Sequence, residues 1–148
     1  MIPAYHLGYI LDASVAVKWF AATAETDRDR ALSLRQRHVT GATRLEVPGS
    51  FAIEVLNALR FSHRFGERDL TTAVESLEAL TLSVSPIDYD LLRSTVAIAS
   101  AYQLTLCDAV YVALAERRGL PLLTADEALI QKMGGHSIVL RLKDMELT

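Results

Sequence analysis

Four lone acids stand at the edges of apolar segments in this chain. Asp12 ends the run Tyr9-Ile10-Leu11, Glu54 lies inside "FAIEVL", Asp108 follows "LTLC" and Asp126 follows "PLLTA". One acid at such a junction has an ordinary explanation. Asp caps the exposed amides of a helix start, and Asp12, Asp108 and Asp126 each precede a helix-forming run. A cap explains each of them alone. Glu54 has no such role, because it falls mid-helix with Phe51, Ala58 and Phe61 at helical spacing. An ionised carboxylate on that face is costly unless it reaches water, is paired or holds a cation. If the four acids converge, two carboxylates about 5 Å apart repel by roughly 3 kcal/mol at an effective dielectric of about 20. Four cannot all stay ionised in one pocket without a cation. Hard carboxylate oxygens select Mg²⁺ or Mn²⁺. The histidines, His6, His38, His63 and His136, fall outside these segments, which weighs against zinc.

The elements that must position these acids alternate along the chain. Tyr9 to Leu11 reads as a buried strand and Ala13 to Ala22 as a helix. A charged amphipathic helix follows from Thr26 to His38, with Ala31, Leu32 and Leu34 inward, and then a strand at Leu45 to Val47. Pro48 reads as a helix-start residue. The next helix runs from Gly49 to Phe65, with Gly66 as its terminating glycine. Asp69 to Leu80 reads as a helix, Leu82 to Ser85 as a strand, and Tyr89 to Tyr102 as a helix. Asp108 reads as the cap of a helix that runs through Arg118 and stops at Gly119. Leu122-Leu123 is a strand, Glu127 to Met133 a short helix, and Ile138 to Leu140 the last strand. Short apolar strands alternating with helices predict an α/β fold with a central, mainly parallel sheet covered on both faces. Ligands of such sheets gather at the carboxyl ends of the strands.

Length and composition narrow the possibilities. The chain has 148 residues, the size of one ordinary domain, with 51% hydrophobic and 22% charged residues. A net charge of −3 argues against gripping nucleic acid with the whole surface, while leaving room for a local basic strip. The single cysteine allows no intrachain disulfide. No apolar run approaches the roughly 18 residues that span a bilayer, and the N-terminus lacks a basic leader region, so the expected location is the cytoplasm.

The ordered segments "YILDASVAVKWF", "VPGSFAIEVLNAL" and "LTLCDAVYVALAERRGLPLLTAD" resemble those of PIN-domain ribonucleases, and specifically the toxins of VapBC toxin–antitoxin pairs. The resemblance runs from near the start to about residue 130 and places the family's acids at Asp12, Glu54, Asp108 and Asp126. Asn57 accompanies Glu54, and Thr124 takes the family's Ser/Thr position. Cys107 departs from the aromatic residue that many relatives carry before the third acid, and reads as a buried small thiol. The resemblance implies one three-layer α/β/α domain over residues 1–148. It further implies Mg²⁺- or Mn²⁺-dependent cleavage of RNA to a 5′-phosphate and a 3′-hydroxyl, a homodimer, and silencing by a small antitoxin.

Roles follow from residue types. Asp12 and Asp108 are the expected direct metal ligands, and Asp126 completes or supports that set. Glu54 holds a second metal, or orients or deprotonates the attacking water. Thr124 bonds a carboxylate, a metal-bound water or the backbone, and Asn57 braces Glu54 or reaches substrate. Lys18, Arg60, Arg64 and Arg68 are candidates for a basic rim that contacts RNA or antitoxin. Trp19 stacks on a base, or fills the core or a dimer seam. Phe61 and Phe65, one turn apart, suit an apolar groove for a partner helix or ordinary packing. The alternatives are a housekeeping PIN nuclease, a non-catalytic PIN-like binding module and a phosphoryl-accepting signalling domain. The last expects a lysine on a late strand, and none lies in Ile138 to Leu140.

Overall fold

The computed structural model describes residues 8–21 and 26–145, so His6 and Ala22 lie outside the described residues; the helix expected over Ala13 to Ala22 already ends at Val17. Strand β1 (Gly8–Leu11) is buried at every position. A strand with no polar face must be covered on both sides, and β1 lies at the centre of a five-stranded sheet. It is flanked by β2 (Arg44–Pro48) and β4 (Leu122–Thr124), with β3 (Ser83–Ser85) and β5 (Val139–Arg141) at the edges. Every pairing is parallel. Gly8 permits the central pairing, since a Cβ there would stand 3.1 Å from the Arg44 carbonyl oxygen.

Parallel neighbours need crossovers, which the helices supply. These are α1 (Ala13–Val17), α2 (Arg28–Val39), α3 (Phe51–Ser62), α4 (Glu67–Ala79), α5 (Tyr89–Tyr102), α6 (Leu106–Arg118) and α7 (Glu127–Met133). The strand order β3-β2-β1-β4-β5 means that the chain winds outward from β1 to β3 and then returns to the other side of β1. The winding reverses between β1 and β4, and a crevice opens there at the carboxyl ends of the strands. Asp12 directly follows β1, and Asp126 follows β4 by two residues.

Helix α6 is buried continuously from Ala109 to Ala115 and packs on β1, β2, β4 and α5. A helix apolar on every side is an enclosed helix, which fixes the placement of whatever its first turn carries. Gly119 ends α6 in the left-handed conformation, φ 66°, as expected.

Several local expectations are corrected. Pro48 closes β2 instead of starting a helix, and α3 begins at Phe51. Gly66 does not terminate α3. That helix stops at Ser62, and Arg64 takes the left-handed turn, φ 58°, as Phe65 packs back onto the core. Gly66 is extended instead, and α4 starts at Glu67. Of the readings open for Trp19, core filling holds: it is 4% exposed, and its indole Nε1 donates to the Ala31 carbonyl at 2.8 Å. Cys107 is exposed, not buried. Among the described residues no single helix is long and apolar enough to cross a membrane.

A buried carboxylate of the sheet pairs with an exposed arginine at the end of α6. Glu46 of β2 is buried and accepts from Arg118 Nε at 2.6 Å and from Ser85 Oγ at 2.7 Å. Removing the guanidinium leaves that carboxylate with one hydroxyl. Arg118→Ala should therefore cost about 1–3 kcal/mol, discounted because the Arg118 side chain is half exposed. The check is the urea midpoint, and adding Glu46→Gln in the same chain should recover most of the loss.

Candidate active site

The short turn into α1 places Asp12 at the helix N-cap position with extended backbone, but its side chain caps nothing. Its Oδ2 instead accepts from Ser14 Oγ at 2.6 Å and from Thr124 Oγ1 at 2.8 Å. Those two hydroxyls are themselves fixed. Ser14 Oγ receives the Ala125 N–H at 3.0 Å, and Thr124 Oγ1 receives the Asp126 N–H at 3.0 Å. The ends of β1 and β4 are thus laced together through one carboxylate. Both side-chain bonds fall on Oδ2.

The cap reading fails for Asp108 as well. Thr105 is the N-cap of α6, and its Oγ1 accepts the Asp108 N–H at 3.1 Å. Asp108 sits a residue inside the first turn, half-buried. Asp126 does cap α7, through Oδ1 to the amides of Ala128 (3.0 Å) and Leu129 (3.2 Å). Glu54, on the inner side of α3, accepts at Oε2 from the Tyr111 hydroxyl at 2.6 Å and from Ser50 Oγ at 3.2 Å. Asn57 is exposed and does not brace Glu54; Tyr111 and Ser50 do that.

Electrostatics join the four acids. Burial pushes Asp12 up to about 6, the hydroxyls of Ser14 and Thr124 oppose the rise, and the charges of Asp108 and Asp126 add to it. Asp108 is raised by burial and by Asp126, while Thr105 and Lys132 pull it down. Glu54 is raised by burial, held down by Tyr111 and Ser50, and pushed up again by Asp108. Tyr111 lies far above the usual tyrosine range, because it is buried and faces the Glu54 carboxylate. Each of the four acids therefore either feels or exerts the charge of another. Asp12, Asp108 and Asp126 form one mutually coupled set, and Glu54 joins it through Asp108.

Among the described residues no three His, Cys, Asp or Glu side chains stand in a ready-made metal-binding arrangement. The donor set itself fits a hard divalent cation. It offers carboxylates raised by burial and, to a smaller degree, by neighbouring carboxylate charge, with hydroxyls behind Asp12.

The expected basic rim is placed differently. Lys18 is buried, and its ammonium donates to the Thr26 carbonyl at 2.7 Å. Arg60, Arg64 and Arg68 are exposed, and the Arg60 guanidinium lies 5.4 Å from the Phe61 ring centroid. Phe61 is itself 72% exposed. Sequence reasoning passed over Ser14, Ser50, Thr105 and Tyr111. A signal existed for two of them: Ser14 stands two residues after Asp12, and Tyr111 stands one helical turn after Asp108 inside an otherwise aliphatic run.

Comparison with known proteins follows this geometry. The PIN domain family matches residues 9–135. Ribonuclease VapC3 of Mycobacterium tuberculosis is 38% identical over 122 residues, spanning 81% of this chain and 83% of the relative. A toxin–antitoxin complex from Klebsiella pneumoniae superposes with a TM-score of 0.66 at 19% identity, over 90% of this chain and 97% of that one. The toxin VapC20 of Mycobacterium tuberculosis, which is described as cleaving the sarcin-ricin loop, gives a TM-score of 0.65 at 14% identity, over 83% and 93%. The two structural matches establish the three-layer α/β/α fold, and the sequence matches establish kinship: the chain belongs to the PIN-domain family, on its VapC branch.

Proposed function

We propose that this single domain is a metal-dependent endoribonuclease and the toxin of a toxin–antitoxin pair, working in the cytoplasm. The observation that carries the reading is that Asp12, held by Ser14 and Thr124 where β1 and β4 end, feels the charges of Asp108 and Asp126, while Glu54 feels Asp108. The ribonuclease VapC3 likeness over most of the chain supports the substrate class.

Asp12, Asp108 and Asp126 would hold Mg²⁺ or Mn²⁺. When bound, the metal supplies positive charge that lowers the pKa of a water and offsets charge on the phosphoryl oxygens. Ser14 and Thr124 bond to Oδ2 of Asp12 and fix the carboxylate plane. Glu54, held by Tyr111 and Ser50, orients the attacking water and accepts its proton. The water oxygen bonds to phosphorus as the bond to the 3′-oxygen breaks, leaving a 5′-phosphate and a 3′-hydroxyl.

The antitoxin reading draws on an apolar cleft of about 320 Å³ between α3, α4 and the β3 edge, lined by Phe51, Leu56, Val74, Leu77 and Val84 among others. Val74 also lines an adjoining cleft with Arg60 and Phe65, so the two form a continuous groove suited to an amphipathic helix. A charge buried at Val74 should weaken a coexpressed antitoxin by tenfold or more, about 1.4 kcal/mol. Val74→Asp should therefore lose antitoxin in co-purification while the free toxin still cleaves RNA. A homodimer belongs to the same reading. Tyr89, Leu92 and Val96 form an exposed stripe along α5, and light scattering on purified protein reads the mass directly.

The deciding experiment is incubation of antitoxin-free protein with total cellular RNA in Mg²⁺, Mn²⁺ or EDTA. Discrete fragments are expected with either metal and none with EDTA or in Asp12→Asn. Folded protein that cuts no RNA in either metal would sink the nuclease reading.

A further inference from the structure

We propose that the cleft at the carboxyl end of β5 is a subsite for an RNA backbone phosphate beside the scissile one. The inference rests on the nuclease reading above and extends it to how an acidic centre retains a polyanion. The cleft holds about 210 Å³ and is lined by Lys18, Arg141 and Lys143, with Asp27, Glu127 and Ala125 among the other residues.

Three observations point to an anion. The lining sets three cations, Lys18, Arg141 and Lys143, against two acids; Glu127 Oε2 pairs with Arg141 at 3.2 Å, and Asp27 lies 4.0 Å from Arg30, a cation outside the lining. Lys143 is exposed and carries no ion pair among the described residues. Arg141 uses Nη2 for Glu127, and its Nε makes no hydrogen bond among the described residues, so the guanidinium keeps donor capacity beyond that pair. A phosphate oxygen is the acceptor that a guanidinium fork fits best.

Position makes that anion RNA. Arg141 is in register with Thr124, the residue whose hydroxyl holds Asp12. Ala125 forms part of the cleft wall and lies between Thr124 and Asp126 in the chain. The cleft and the acid cluster therefore share a wall at the same edge of the sheet. A strand crossing the acids brings its next phosphate there, where cations position the backbone without reading sequence. Lys18 is one of the rim candidates read from the sequence, and Arg141 and Lys143 join it here on the far side of β4, while Arg60, Arg64 and Arg68 lie exposed elsewhere.

The test is anisotropy of a labelled single-stranded oligoribonucleotide, in the Asp12→Asn background so that it stays intact. Lys143→Glu and Arg141→Gln should each weaken binding by about fivefold at low salt, and each should reduce the slope of log affinity on log salt by about 0.7. Arg44→Glu is the control of equal charge change at the opposite end of the sheet, and thermal melts confirm that each variant folds. A loss in Lys143→Glu no larger than in Arg44→Glu overturns the subsite. Lost antitoxin binding with RNA affinity intact assigns the cleft to the protein partner and also overturns it. Parent protein that neither binds nor cleaves RNA brings down the nuclease reading, and the subsite with it. Cleavage by the unsubstituted chain tells these failures apart.

Discussion

Asp12→Asn should reduce RNA cleavage by at least about a hundredfold and, in the same protein, raise the stability of the metal-free fold above pH 6. The two effects share one cause. Asp12 is buried and its carboxyl is pushed up to about 6 from an ordinary value of 3.8. The folded state therefore binds this proton more tightly than the unfolded chain does. Its contribution to stability falls as pH rises from about 4 through 6, and the full penalty remains above that. A shift of about two units corresponds to roughly 3 kcal/mol. Asn keeps an oxygen for Ser14 and Thr124 and removes the charge, so its urea midpoint should exceed the wild type's at pH 8, by a smaller margin at pH 5, and converge with it only at about pH 4 and below. Mg²⁺ should narrow the gap at pH 8 by stabilising the wild type alone. Equal stability of the two proteins at pH 8 would show that Asp12 is not strained by its burial. A site that stores such a cost is expected where function needs a charge that folding does not.

The acids were legible because the chemistry restricts both residue type and place: an isolated carboxylate at the end of an apolar strand has few uses. The strand and helix alternation was legible for a similar reason, since wholly apolar strands require cover on both faces. What hid from the sequence were the partners. A serine two residues after Asp12 is ordinary in sequence, and becomes a ligand-orienting group only when β4 brings Thr124 to within 3.3 Å of it. Capping was misread at Asp108 because Thr105, three residues earlier, offers the same chemistry and wins the helix start. Gly66 drew attention as a flexible residue, yet burial of Phe65 fixes where the chain turns and forces Arg64 into the strained conformation. The cations at the end of β5 were invisible for another reason. Arg141 is 15 residues beyond Asp126 by sequence position, and only the parallel register places it beside Thr124.

Tyr111 is where packing and chemistry meet most closely, and Tyr111→Phe should lower kcat by about 10–100-fold while leaving the fold intact. The ring is buried at 1% exposure within α6. Its hydroxyl donates to Glu54 Oε2 at 2.6 Å. That one bond ties the Glu54 carboxylate of α3 to the helix that carries Asp108. Phe preserves the packing and removes only this bond, whereas Tyr111→Ala would open a cavity and cost about 3–5 kcal/mol. The sign of the pH effect separates a positioning role from mere damage. The Tyr111 bond holds Glu54 down against burial and against Asp108. Without it Glu54 moves further up, so the acid limb of the rate profile should shift to higher pH. The variant should lose more activity at pH 6 than at pH 8. An unshifted profile with uniformly lower rates would mean that Tyr111 only fills space. A shifted profile with an unchanged melting temperature would show that the core of this fold sets the protonation of its own base.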